Sequence, residues 1–279
     1  MTGIVIYTDL DGSLLDHDSY SHAEADALLA ELERQGVPVI PVSSKTRAEL
    51  LALRNELGNR HPFIAENGAA VFIPEGYFDE QPAGTHALDG FFVREFSLRR
   101  SYWLRKLASA AAEYRDDYTG FEKLSIEEIA ELTGLAPEDA GRAAQREFGE
   151  PLRWHGEEAR KASFIARMEQ HGANILQGGR FMHVSGDCDK GRALLWLNAQ
   201  YAKARGRKPV SIAIGDSHND AAMLEAADHA IIIRSPSHAP PQLSRRDGVL
   251  LTEGQGPVGW NEGVHKILTT IETTDNNNG

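Results

Sequence analysis

A chain of 279 residues suits one main domain carrying a sizeable insertion, and is short for two large domains. Its 41% hydrophobic and 25% charged residues are ordinary globular composition, while a net charge of −12 argues against a nucleic-acid or anionic-membrane partner, because holding a phosphate backbone needs a basic face. The single cysteine, Cys188, excludes an intrachain disulfide and a cysteine-rich zinc site, and no apolar run reaches membrane-spanning length; the expected location is the cytoplasm.

Taken along the chain, residues 4–8 read as a strand and residues 21–35 as a helix. Ser21 and Glu24 would form a capping box, Ala25, Leu28, Leu29 and Leu32 share a face, and Gly36 ends it. Residues 37–42 read as a buried strand, and Thr46 with Glu49 as a second capping box opening a helix that Gly58 stops. Residues 63–65 and 70–73 then read as two strands joined by a turn at Asn67-Gly68. This βαβαβ order predicts a parallel sheet.

Between residues 85 and 185 the rhythm changes to helices at 125–133, 137–148 and 157–171, with strands at 151–154 and 173–177. The first rhythm then resumes with a helix at 190–204, a strand at 210–214, a helix at 220–227 and strands at 230–233 and 249–251. The expectation is an α/β fold: a doubly wound, parallel-sheet, Rossmann-like core of residues 1–84 and 186–272, interrupted by an α/β cap at 85–185. Residues 273–279 are polar and aperiodic and read as a disordered tail.

Open α/β sheets bind ligands beyond the carboxyl ends of their strands. After the first strand stand Asp9 and Asp11, separated by one apolar residue and followed by Gly12. One carboxylate can attack phosphorus if a cation screens the repulsion, and its neighbour can protonate a leaving alkoxide; an Asx turn with two solvated aspartates would read the same from this fragment alone. Ser43-Ser44-Lys45-Thr46 follow the second strand at a helix start, where amides, hydroxyls and a lysine can hold phosphate oxygens, although a plain N-cap gives the same pattern. Lys190 opens a helix, a place where a cation is unfavourable unless an anion lies nearby, and Gly215-Asp216-Ser217-His218-Asn219-Asp220 offers hard oxygen ligands suited to Mg²⁺.

In this order, Asp9, Asp11, Ser43, Lys190, Asp216 and Asp220 resemble the four motifs of the haloacid dehalogenase superfamily, and the large insertion resembles the cap of its Cof-type branch. The resemblance implies a phosphatase in which Asp9 is a covalent nucleophile, Asp11 the acid then base, and Ser43 and Lys190 hold the phosphoryl group. It also implies Mg²⁺, with Mn²⁺ or Co²⁺ as alternatives, bound by Asp9, Asp11, Asp216 and Asp220.

Ser43-Ser44-Lys45-Thr46, Glu66-Asn67-Gly68, Phe148-Gly149-Glu150-Pro151, Gly178-Gly179-Arg180-Phe181-Met182-His183 and Asp189-Lys190-Gly191 together are similar to the mannosyl-3-phosphoglycerate phosphatase family. That similarity implies a small phosphorylated sugar-glycerate substrate, with Ser44, Lys45, Glu66, Asn67, Glu150, Gly179 and Arg180 around it and Arg180 on the glycerate carboxylate. An ordinary hairpin turn with a solvated arginine would explain 178–180 equally well. Ser13 stands where threonine is commoner and Gly149 where serine is expected, so a glucosyl-3-phosphoglycerate or broader sugar-phosphate range remains open, as does a homodimer. A phosphomannomutase-like enzyme and a catalytically silent phosphometabolite binder are the competing readings; both aspartates of the first motif weigh against the second. His183 and His218 read as packing and loop residues, because hard Mg²⁺ prefers oxygen.

Overall fold

A computed structural model describes residues 3–177 and 181–277. The core is a five-stranded parallel sheet of β1 (Ile4–Thr8), β2 (Val39–Pro41), β11 (Val210–Gly215), β12 (His229–Ile232) and β13 (Val249–Leu251), in the order β13-β12-β11-β1-β2. Alternation along β1 sends Ile4 and Ile6 to one face and Val5 and Tyr7 to the other, and all four are buried. On the first face they meet Leu28 and Leu32 of α1 (Asp26–Arg34), Leu50 of α2 (Arg47–Glu56) and Trp260, Val264 and Leu268 of α9 (Gly256–Asn277). On the second they meet Leu194, Leu197 and Tyr201 of α7 (Lys190–Arg205) and Met223 and Leu224 of α8 (Ala221–Ala226). Helices on both faces of a parallel sheet make this a doubly wound α/β core.

A second sheet is antiparallel, in the order β3-β4-β6-β5, with β3 at Phe63–Ala65, β4 at Ala70–Pro74, β5 at His86–Leu88 and β6 at Phe91–Glu95. A parallel bridge from Val42 to Ile64 joins it to the β2 side of the core. Residues 86–95 therefore pair with the core hairpin, and the expected boundary at 84/85 cuts through this sheet. Its buried Phe63 and Phe72, stacked 4.9 Å apart, explain why β6 stays here: Phe91 packs edge-on against both rings.

The third sheet, β7-β8-β10-β9, belongs to the insertion: β7 (Tyr118–Gly120), β8 (Glu150–Trp154), β9 (Asn174–Gln177) and β10 (Met182–Ser185). Its own core joins Trp103 and Leu107 of α3 (Arg100–Ala110) to Phe164 and Met168 of α6 (Glu158–Gln170). A smaller lobe, α4 (Ile126–Thr133) and α5 (Pro137–Ala143), packs around Phe121, Ile129 and Ala140.

Three local expectations need correction. The Ser21 capping box does not form: a short 3₁₀ turn at Ala23–Ala25 precedes α1, with no side-chain cap, and Ser21 Oγ accepts the Ala23 amide at 3.2 Å. The helix expected over 137–148 ends at Ala143, because residues 144–149 are drawn off toward the core by contacts described below. The region read as a disordered tail is helical in backbone as far as Asn277, the end of α9.

Candidate active site

The site lies at the carboxyl ends of β1, β2 and β11 and the amino end of α7. β1 runs straight into Asp9, whose amide donates to Ile214 O at 2.8 Å and so extends the ladder to β11 by one residue. Gly12 then turns the chain at φ +78°, and a Cβ there would stand 2.7 Å from Asp216 Oδ2, so only glycine lets the first and last motifs approach this closely.

Lys190, the first residue of α7, is fully buried. Its Nζ lies 2.6 Å from Asp9 Oδ1 and 2.6 Å from Asp220 Oδ1. Asp220 is fixed in turn, its Oδ2 accepting the amides of Asp216 at 3.2 Å and Ser217 at 3.1 Å. Burial would lower the pKa of Lys190, but the Asp220 and Asp9 carboxylates outweigh it and push the ammonium up. Burial and the nearby charge of Asp220 hold the Asp9 carboxyl well above the usual carboxylate range, against the pull of Lys190, and burial with Asp220 raises Asp216 too.

Potential ligand atoms of Asp9, Asp216 and Asp220 all lie within 4.8 Å of one another. Three buried carboxylates against one ammonium leave an excess of negative charge in a poorly solvated place, and every donor is a hard oxygen. That donor chemistry fits a divalent cation of the Mg²⁺ type. Asp216 Oδ2 also meets His238 Nε2 at 3.2 Å, from the loop between β12 and β13. No motif in the sequence signalled His238, and the contact exists only because that loop folds back over the sheet end.

Asp11 is the open member. Its side chain is 39% exposed and pairs through Oδ1 with Lys45 Nζ at 2.9 Å. Burial lowers the Lys45 pKa, but Asp11 and Glu49 overcome it and the lysine stays charged. The buried Ser43 follows β2 and accepts the Lys45 amide on Oγ at 3.2 Å. The turn at 66–68 braces this loop from behind: Glu66 N donates to Lys45 O at 3.0 Å and Asn67 N to Ser43 O at 2.9 Å. The Thr46–Glu49 capping box is formed as the sequence predicts, and opens α2.

Residues 6–89 match the haloacid dehalogenase-like hydrolase family. A protein of Methanococcoides burtonii named glucosyl-3-phosphoglycerate/mannosyl-3-phosphoglycerate phosphatase is 36% identical over 264 residues, 95% of this chain and 97% of its own. A second of the same name, from Persephonella marina, is also 36% identical, covering 96% and 98% of the two chains. The chain belongs to this family. Among solved structures, a haloacid dehalogenase superfamily phosphatase of Bacteroides thetaiotaomicron superposes with a TM-score of 0.64 at 19% identity, over 96% of this chain and 95% of the other. The sucrose-phosphatase of Synechocystis superposes at 0.61 and 12% identity, over 95% and 98%. At such identities these two speak for the shared fold alone.

In this phosphatase the structure brings together Asp9, Lys190, Asp216 and Asp220, with Asp11, Ser43 and Lys45 beside them. It does not place all the expected substrate contacts. Glu66 turns away from the site: its carboxylate accepts the amides of Glu147 at 2.7 Å, Phe148 at 3.2 Å and Gly149 at 2.8 Å, with Arg146 Nε at 3.4 Å. Glu150 is buried inside the cap, where it accepts Arg100 Nε at 2.5 Å and the Glu122 amide at 2.9 Å. Ser44 offers its carbonyl to Arg146 at 3.0 Å, and Asn67 Oδ1 accepts Asn219 Nδ2 at 3.2 Å. Gly179 and Arg180 lie outside the described residues. No helix among the described residues is long and apolar enough to cross a membrane.

Proposed function

We propose that the protein hydrolyses the phosphomonoester of a hexosyl-3-phosphoglycerate, mannosyl or glucosyl, to hexosylglycerate and phosphate with Mg²⁺ as cofactor. The observation that carries this reading is the near-full-length kinship at 36% identity with two enzymes named for that activity. A buried nucleophile held by a lysine supports it.

In the reaction, Asp9 attacks phosphorus with the carboxylate oxygen that Lys190 does not hold, and the phosphorus–ester oxygen bond breaks. Lys190 fixes the rotamer of Asp9 and balances its charge, while Asp220 holds Lys190. The Asp11 carboxyl gives its proton to the departing glycerate oxygen, leaving an acyl phosphate on Asp9. The Asp11 carboxylate then takes a proton from a water molecule, whose oxygen attacks phosphorus and frees phosphate from Asp9. Asp9 and Asp216 are the side chains best placed to hold the cation, and Asp220 has its oxygens committed to Lys190 and two amides. Bound Mg²⁺ supplies charge screening between the anionic nucleophile and the anionic ester. Ser43 and Lys45 supply donors for phosphoryl oxygens at the start of α2.

The test is phosphate release with mannosyl-3-phosphoglycerate, glucosyl-3-phosphoglycerate, 3-phosphoglycerate and mannose 6-phosphate, each with EDTA and Asp9→Asn controls. Fastest, metal-dependent release from a hexosyl-3-phosphoglycerate is expected, with Asp9→Asn inactive. Release from simple sugar phosphates alone would discard the substrate but keep the chemistry.

A further inference from the structure

Thr8 places a hydroxyl where strand packing asks for none. It closes β1 on the face of Ile4 and Ile6, and the indole of Trp260 in α9 belongs to the same apolar layer. Thr8 and Trp260 are both fully buried. A valine has the same branched outline and would fill this place in a strand, whereas a buried hydroxyl is costly unless its hydrogen bonds are made.

Its bonds are made, and they lead to Asp9. Trp260 Nε1 donates to Thr8 Oγ1 at 3.0 Å, and Thr8 Oγ1 donates to the Asp9 carbonyl at 2.7 Å. The parallel ladder explains why that carbonyl takes a side-chain donor. Asp9 N bonds Ile214 O, so the next rung would bring the Asp216 amide to Asp9 O. That amide is turned instead onto Asp220 Oδ2 at 3.2 Å, in the loop whose Asp220 anchors Lys190. The Thr8 hydroxyl stands in for the diverted rung.

Asp9 is thereby held at three atoms: its amide by Ile214 O at 2.8 Å, its carbonyl by Thr8, and its Oδ1 by Lys190. The amide and the carbonyl flank the Cα, so fixing both sets the direction of the Cβ, and Lys190 then sets the carboxylate. Trp260 has little room to move. A Cβ on Gly259 beside it would stand 2.3 Å from the Gly254 carbonyl, and Glu262 Oε2 accepts the Gly254 amide at 2.8 Å, which seats the first turns of α9 against the chain leaving β13.

We propose that Thr8, oriented by Trp260, is a positioning residue for the nucleophile: its bond to the Asp9 carbonyl keeps the Asp9 side chain aimed at phosphorus. Both residues are buried, so they act through Asp9 and not on the substrate. The inference rests on Asp9 being the nucleophile of the proposed reaction, and it adds the last helix of the chain to the parts that hold it. In-line attack tolerates little error, since a displacement of about 1 Å can cost on the order of a hundredfold in rate.

The experiment measures kcat and KM for wild type, Thr8→Val, Thr8→Ser and Trp260→Phe, with hexosyl-3-phosphoglycerate and with a generic aryl phosphate, beside thermal unfolding followed by circular dichroism. Thr8→Val is expected to lower kcat roughly tenfold on both substrates with KM within about twofold, because the nucleophile is disturbed and the binding surface is not. Thr8→Ser keeps the hydroxyl and is expected to recover most of the turnover. Trp260→Phe, which leaves the hydroxyl in place without its orienting donor, is expected to lower kcat about threefold with KM again held. Wild-type kcat in Thr8→Val, a fall as large in Thr8→Ser, or a loss carried by KM would overturn the positioning role while the proposed function stands. Should Thr8→Val not fold, Trp260→Phe decides in its place, and wild-type kcat there overturns the role. If wild type hydrolyses the aryl phosphate alone, the proposed substrate fails and the positioning is decided on that ester. If it hydrolyses neither, or if Asp9→Asn is as active as wild type, the nucleophile assignment and this inference fall together.

Discussion

Lys190→Met removes the only lysine from a cluster whose other members all carry negative charge, and its cost can be worked from the geometry. The ammonium is fully buried and makes two contacts of 2.6 Å, to Asp9 and Asp220. Removing one partner of a buried ion pair costs about 3–5 kcal/mol, because the stranded charge keeps its desolvation penalty. At roughly 2 °C per kcal/mol for a chain of this size, the expected fall in Tm is about 6–10 °C in EDTA at pH 8. The loss depends on pH with a definite sign. Burial and Asp220 already hold the folded-state pKa of Asp9 above the unfolded value of 3.8, and without Lys190 it rises further. A raised carboxyl pKa means that the folded state gains stability by binding a proton, and this gain is lost as pH rises through the folded pKa. The variant should therefore be nearer to wild type at pH 5 than at pH 8, and Lys190→Met/Asp220→Asn should recover part of the loss. The assay is thermal unfolding followed by circular dichroism at both pH values. An unchanged Tm at pH 8, or a deficit equal at both, would refute the view that Lys190 holds the carboxylates together.

Glu66→Ala leaves three amides at 147–149 without their acceptor and Arg146 without its counter-charge, so a loss of about 2–4 kcal/mol is expected, and a smaller one for Glu66→Gln. Urea midpoints that do not move would mean that the strap is held by other contacts. A Cβ on Gly68, at φ +92°, would stand 2.1 Å from the Asp189 carbonyl, which is backbone and cannot swing aside. Gly68→Ala should therefore displace the start of α7, costing on the order of 3 kcal/mol and most of the turnover, since Lys190 moves with it. Wild-type Tm and turnover together would contradict that. Burial and the charge of Arg146 lower the His183 pKa from 6.5 to about 3, and its Nδ1 is buried without a partner among the described residues. The unfolded chain then takes up a proton near pH 6.5 that the folded chain refuses, so stability present above that pH is lost as pH falls toward 3. His183→Phe should lessen the acid-induced loss by on the order of 1 kcal/mol at pH 5, read from urea midpoints at pH 7.5 and 5.

The core was legible because its signals are local. Strand alternation, the Thr46–Glu49 capping box and the glycines after helices each act within a few residues, and Ile4–Thr8, Phe63–Ala65 and Val249–Leu251 appear where the pattern puts them. The membership of β5 and β6 was not legible, since it depends on Phe91 meeting Phe63 and Phe72 across the sheet rather than on any property of residues 86–95. Glu66 shows the same limit at the site. An acidic residue in a turn beside a phosphate loop suits a substrate contact, and only the fold reveals that residues 147–149 arrive with three amides aligned on it.

The same contrast separates Asp216 from Asp220, which the sequence presents as equivalent oxygen donors four residues apart. Asp220 is the last residue of a 3₁₀ turn, His218–Asp220, that carries its carboxylate back under the loop, where two amides and Lys190 use its oxygens. Asp216 is buried as well, but its carboxylate meets His238 at 3.2 Å and the Ser217 side chain rather than the lysine, so its oxygens are the more available for a cation. Distance along the chain thus says little about role here. What distinguishes the two carboxylates is which hydrogen-bond donors the turn at 217–220 delivers to each, and that turn exists because Gly215 has no side chain: a Cβ there would stand 2.5 Å from the Cβ of Asp220. The glycine before the acidic run is accordingly part of the charge arrangement, since it lets Asp220 come close enough to anchor Lys190 and leaves the Asp216 carboxylate outside the lysine's hydrogen bonds.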